Sequence, residues 1–213
     1  MTATIFDADP VQYAIFLNND YGNSRGIEMG LKRRYSNRFE GSITYTYSKA
    51  EGNSGNEFTH WWEAYSASVL GTVPAQKTIT LPWDQPHMLN LLMDYRSPSN
   101  WGINIIGSYG SGLPYTATDS RGRALDERNS SRLPATLNMD VRLNKDFNIG
   151  RIRYRLYSDI LNFFNRQNVN SVFSTTGKPN ESANPNSSIE IQDRPEFYAP
   201  PRSIEVGIQI YFR

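Results

Sequence analysis

Cysteine is missing from all 213 residues, which excludes disulfide frameworks, thiolate nucleophiles and cysteine-built zinc sites. Histidine is nearly missing too. His60 and His87 are the only two, with no H-x-x-x-H spacing, so an imidazole-based metal centre has no scaffold. There is no excess of either charge, with Lys+Arg 22 against Asp+Glu 21, so neither a nucleic-acid-binding field nor an acidic solvating tail is present. No apolar run approaches the roughly 18 residues that a membrane helix needs. The stretch from Met1 to Pro10 lacks the basic start and apolar centre of a signal peptide. Nothing in the composition calls for a cofactor.

What is present is alternation with a period of two. From Arg38 to Lys49, Phe39, Gly41, Ile43, Tyr45 and Tyr47 fall on one face, and Glu40, Ser42, Thr44, Thr46 and Ser48 on the other. The preceding run sets Ile27, Met29, Leu31, Arg33 and Tyr35 against Glu28, Gly30, Lys32 and Arg34. Arg33, the one cation on the apolar side, lies near a turn where a long side chain can reach a membrane surface. Leu89 to Arg96 and Trp101 to Tyr109 read as a hairpin about Ser97 to Asn100. Thr136 to Asn144 and Ile152 to Ile160 read as another, about a turn from Lys145 to Gly150. Ser203 to Phe212 closes the chain, and a less regular run at Val11 to Leu17 brings the count to about eight strands.

The connections sort by length. Tight turns at Tyr35 to Asn37, Ser97 to Asn100 and Lys145 to Gly150 alternate with long polar stretches at Glu51 to Pro86, Ser111 to Pro134 and Arg166 to Pro201. Because strand direction reverses at each connection, the tight turns gather at one end and the long loops at the other, as in outer-membrane barrels. Tyr21 to Ser24 is a short exception on the long-loop side. Asn53, Asn56 and the segment Lys178 to Ser188 read as mobile loop tips.

A soluble barrel around a small apolar ligand would alternate in the same way, with its apolar face turned inward. Aromatic residues near strand ends on the apolar face (Tyr35, Phe39, Tyr45, Tyr47, Tyr95, Trp101, Tyr109 and Phe212) resemble interfacial girdles instead. Several runs also reach about ten residues, enough to cross a bilayer at a tilt, whereas soluble strands average about five or six. The expected fold is therefore all-β, an antiparallel transmembrane β-barrel segment, and low mean hydropathy does not oppose it because only alternate residues meet lipid.

Asn23-Ser24-Arg25-Gly26-Ile27-Glu28, Gly41 to Ala50, Trp83-Asp84-Gln85-Pro86-His87 and Asp159-Ile160-Leu161-Asn162-Phe163-Phe164-Asn165, in that order and spacing, resemble the C-terminal barrel of TonB-dependent outer-membrane receptors, particularly the Oar-like group. The resemblance spans most of residues 1–213. It implies a 22-stranded barrel whose plug domain, TonB box and remaining strands lie upstream of this sequence. It also implies energised nutrient uptake across a bacterial outer membrane, with TonB engaged only through the N-terminal part. The terminal Phe212 resembles the aromatic residue by which such barrels address the barrel assembly machinery, with Arg213 after it as a small departure.

Site residues follow from this frame. Phe58, His60, Trp61, Trp62 and Tyr65 offer stacking surface on an external loop to a sugar, peptide or aromatic ligand. Glu28, Lys32, Arg34, Asp94, Arg96, Asp140, Arg142, Arg153, Arg155, Asp159 and Glu205 line the polar face, mainly as lumen ion pairs. Asp84 and His87 flank a proline with no nucleophile nearby, so they read as hydrogen-bonding groups of the rim and not as an acid and base. The chain is expected not to be an enzyme, and its partners are lipid, upstream strands and plug, without metal or nucleic acid.

Overall fold

The computed structural model describes residues 20–54, 77–183 and 194–212, together with the backbone of 2–8 and 11–17. Among the described residues twelve strands follow one another: β1 (Thr2–Ala8), β2 (Val11–Leu17), β3 (Gly22–Ser36), β4 (Phe39–Gly52), β5 (Ile79–Thr80), β6 (His87–Arg96), β7 (Trp101–Gly110), β8 (Pro114–Tyr115), β9 (Ser131–Arg132), β10 (Thr136–Ile149), β11 (Ile152–Leu161) and β12 (Ser203–Phe212). Apart from a 3₁₀ turn at Pro195–Phe197, the described residues form no helix.

The protein is all-β, built on one antiparallel sheet of eight strands in the order β12-β11-β10-β7-β6-β4-β3, with the short β5 added to β4. Each long strand lies beside its sequence neighbour, as a meander requires. β1 and β2 pair only with each other, so Val11 to Leu17 forms a separate hairpin and not an eighth long strand of this sheet. Among the described residues β3 and β12 each keep one edge unpaired, and the sheet does not close on itself.

Register lines the apolar residues into rows across the strands. One row runs Gly41, Met93, Ile105, Val141, Ile160, Ile204, and the next Phe39, Tyr95, Ile103, Leu143, Ser158, Val206. Hardly any of this surface is covered. Only Ala50, Leu81 and Val141 are buried hydrophobics among the described residues, whereas Leu31 is 73% and Val206 70% exposed. A sheet normally hides its apolar face against a second layer, and here the described residues supply none.

The turns depart from the sequence reading in instructive ways. Ser36 pairs with Phe39, so the first tight turn is Asn37-Arg38, both at positive φ (51° and 70°), the two-residue type I′ arrangement that matches strand twist. Since Arg33 pairs with Gly41, Arg34 and Tyr35 together oppose the single Glu40. That bulge takes Tyr35 off the apolar row, and its ring receives the Arg96 guanidinium at 5.2 Å. β10 does not turn at Lys145 but continues to Ile149, which pairs with Ile152 across Gly150-Arg151. Gly150, at φ 60°, supplies the left-handed residue of that turn. Gly22, Asn23 and Ser24 belong to β3 and not to a loop.

Candidate functional site

On the polar face the same register sets Glu40, Asp94, Asn104, Arg142, Asp159 and Glu205 in one row across six strands. Arg142 stands directly opposite Asp159 and holds it through two bonds of 2.5 Å. Four residues further along β10, Asp146 is gripped by Arg155 of β11 through bonds of 2.6 and 2.8 Å. Fork-to-carboxylate geometry of this kind fixes orientation as well as charge. Arg96 pairs with Asp94 at 2.8 Å, and Arg153 lies over the Tyr211 ring at 4.9 Å. Glu28, Lys32, Arg34 and Glu205 form no ion pair among the described residues.

Between these pairs lie two open recesses. One, of about 410 Å³, is bounded by Asp94, Arg96, Asn100, Asn144, Asp146 and Arg155. The other, of about 280 Å³, is bounded by Arg142, Tyr157, Asp159, Glu205 and Gln209. The Tyr157 phenol lies over Gly207, where a Cβ would come within 2.4 Å of its oxygen, so the glycine makes room for the ring. An apolar island, Leu92 opposite Ile106, interrupts the polar face. The surface can orient polar solutes through amides, a phenol and saturated ion pairs, and among the described residues no three His, Asp or Glu side chains converge as metal ligands do.

At the long-loop end, side chains bind the loops to the strand mouths. Asp84 is 1% exposed, accepts the Ala50 amide at 2.5 Å, and is clasped by the Arg132 guanidinium, which also donates to the Asp84 and Gly112 carbonyls at 3.1 and 3.2 Å. Gly112 is required there, since a Cβ would overlap the Leu133 carbonyl oxygen at 1.6 Å. His87 contacts the Tyr45 hydroxyl through Nδ1 at 2.8 Å and makes no bond to Asp84. Asn53 is no loop tip: it is buried, its Oδ1 accepting the Tyr21 amide at 2.9 Å.

Two more asparagines do comparable work near the end of β11. Asn162, at φ 50°, donates to the Arg166 and Pro200 carbonyls, while its own amide bonds Asp140 at 2.8 Å. Asn168 places its side-chain amide against the Leu137 backbone, accepting at 2.9 Å and donating at 2.8 Å, in effect extending the sheet with a side chain. Their partners lie up to 38 residues away in sequence, so turn chemistry was legible but the attachment was not. Asp146 was hidden because its segment read as a turn; continued alternation through Asn148 is the signal that would have found it.

The aromatic loop residues Phe58, His60, Trp61, Trp62 and Tyr65, and Asn56 with them, lie outside the described residues. Phe212 sits at the end of β12 opposite Ile152 and is 80% exposed. An aromatic cluster not foreseen from sequence occupies the last long loop, where Phe173 and Phe197 meet edge-on at 5.2 Å and the Arg194 guanidinium lies 5.4 Å from each ring. Comparison with models of known protein families, with curated proteins and with solved structures returns no match for this chain.

Proposed function

We propose that this chain is a C-terminal portion of the β-barrel of a TonB-dependent receptor in a bacterial outer membrane, forming barrel wall, lumen lining and external loops for the energised uptake of a nutrient. Lipid meets the apolar face, upstream strands and a plug meet the edges and the polar face, and the chain catalyses no reaction. TonB acts through the N-terminal part of the receptor, and Phe212 belongs to the segment presented to the assembly machinery.

One observation carries this reading. A single sheet whose long strands run 10 to 15 residues leaves a predominantly apolar face open on one side and a polar, ion-paired face on the other. Hydrocarbon and water on opposite sides satisfy that division, whereas a soluble barrel needs the apolar face inside. The gathering of tight turns at one end and tied long loops at the other supports it.

The test is to place spin labels singly at Ile43, Leu91, Ile105, Leu156 and Ile208 in the membrane-embedded protein; Val141, expected on the same face, is buried between its neighbours and is left out. These sites should contact a lipid-soluble relaxant and be shielded from a water-soluble one. Shielding from the lipid-soluble agent at all five would overturn the reading.

A further inference from the structure

The apolar face is dented where a serine stands in it. In the row Phe39, Tyr95, Ile103, Leu143, Ser158, Val206, five bulky side chains surround one small polar one. The adjacent row toward the tight turns, Trp101, Lys145, Leu156, Ile208, contains a cation. Trp101, Leu143, Lys145, Leu156, Ser158 and Val206 border a shallow, open recess of about 230 Å³, most of its wall apolar.

Lys145 is not absorbed by the protein's own charges. Among the described residues no carboxylate pairs with it, and its Nζ donates to the Ser99 carbonyl at 2.6 Å. An ammonium has three donors, so two remain for an external acceptor, held at the height of the Ser97 to Asn100 turn. Arg33 reaches in the same manner toward the Ser36 carbonyl, 3.5 Å away beside the neighbouring turn, which places both cations at one level. Two residues of strand separate the Lys145 row from Ser158, roughly 7 Å. A glycerophospholipid carries its phosphate and its acyl esters in the same order, from the aqueous boundary inward.

We propose that this recess is a binding site for one anionic glycerophospholipid, with its phosphate on Lys145, an ester carbonyl accepting from the Ser158 hydroxyl, and an acyl chain lying against Trp101, Leu143, Leu156 and Val206. The proposal deepens the membrane reading and rests on it. A positive head at the aqueous boundary and a polar hydroxyl one row deeper follow the polarity profile of such a lipid. A second copy of the chain, packed sheet to sheet, would leave both groups facing hydrocarbon-like surface.

The experiment uses the receptor expressed from its complete gene and reconstituted in phosphatidylcholine nanodiscs containing a minor fraction of spin-labelled phosphatidylglycerol. The wild type should hold a motionally restricted component of the anionic lipid. Lys145→Gln should weaken its retention about fivefold, as expected for one cation at a lipid surface. Ser158→Leu, which fills the dent with a side chain suited to the lipid face, should abolish the specific component without loss of folding. Equal retention by the wild type and both variants would overturn the proposal while leaving the membrane reading intact. Cross-linking of two copies through Leu156 would assign the recess to self-association and overturn it as well. A wild type that never enters the nanodiscs would defeat the membrane reading and the lipid site together.

Discussion

Asp84 shows how one side chain can hold a strand mouth and a loop together. Its carboxylate serves the Ala50 amide on one side and the Arg132 guanidinium on the other, while its own amide donates to the carbonyl of the buried Leu81. Asp84→Ala would leave a buried amide without an acceptor and a half-exposed arginine without its counter-charge, a loss of about 2 to 4 kcal/mol. Hydrogen exchange at Ala50 and Leu81 should quicken accordingly, and unchanged protection there would contradict the role. Asp119 makes a pH-sensitive counterpart in the loop after β8. The Arg123 amide, joined by the Arg123 guanidinium and the Arg121 amide, holds its carboxyl below the usual carboxylate range against a smaller cost of desolvation. A depressed folded-state pKa means that this hold is present above the ordinary aspartate range and is lost as pH falls through the lowered value. The Arg121 and Arg123 amide resonances should therefore move together on acidification, and in Asp119→Asn they should not titrate.

The strands were largely legible from sequence because period-two alternation has one simple cause, a face that meets an apolar medium and a face that meets water. β3, β4, β6, β7, β10, β11 and β12 each contain the run expected of them. What alternation could not reveal was where it is interrupted. At Arg34 and Tyr35 two residues fit against one, which moves an aromatic from the apolar side to Arg96. At Lys145 a cation on the apolar row imitated a turn, and the last five residues of β10 were hidden by it. The rim was illegible for a different reason, since Asp84, Asn53, Asn162 and Asn168 are defined by distant partners. β12 gives the sharpest test of the alternation, because Ile208 is 55% exposed on the apolar row and Gln209 stands opposite Arg155 on the polar side. Ile208→Arg should lower stability by about 2 to 4 kcal/mol and impair assembly, while Gln209→Arg should be tolerated. Comparable losses in folded, membrane-inserted protein would break the assignment.

As a whole molecule the sheet is unfinished on its own terms. β3 and β12 each present an unpaired backbone edge among the described residues, a state that hydrocarbon penalises group by group. Curling residues 1–213 into a narrow barrel would crowd Lys32, Arg34, Arg142, Arg153 and Arg155 into a lumen only wide enough for side chains. On the reading proposed above, the chain alone should aggregate or fail to insert during refolding in detergent, and the upstream strands that this reading implies should rescue it. A monodisperse, heat-modifiable barrel from this chain alone would refute that expectation.

The uncovered apolar face has a consequence for how such a protein changes over time. A packed core is a jigsaw in which each neighbour constrains a side chain's shape, whereas a fluid hydrocarbon constrains only polarity. On the reading proposed above, Ile105 or Leu156 is free to become any lipophilic residue of another size. Lineages would then drift apart across most of the wall, and the lasting signature of descent would be confined to a few punctuation marks: Asn37 and Gly150 at the turns, Asp84, Asn162 and Asn168 at the rim.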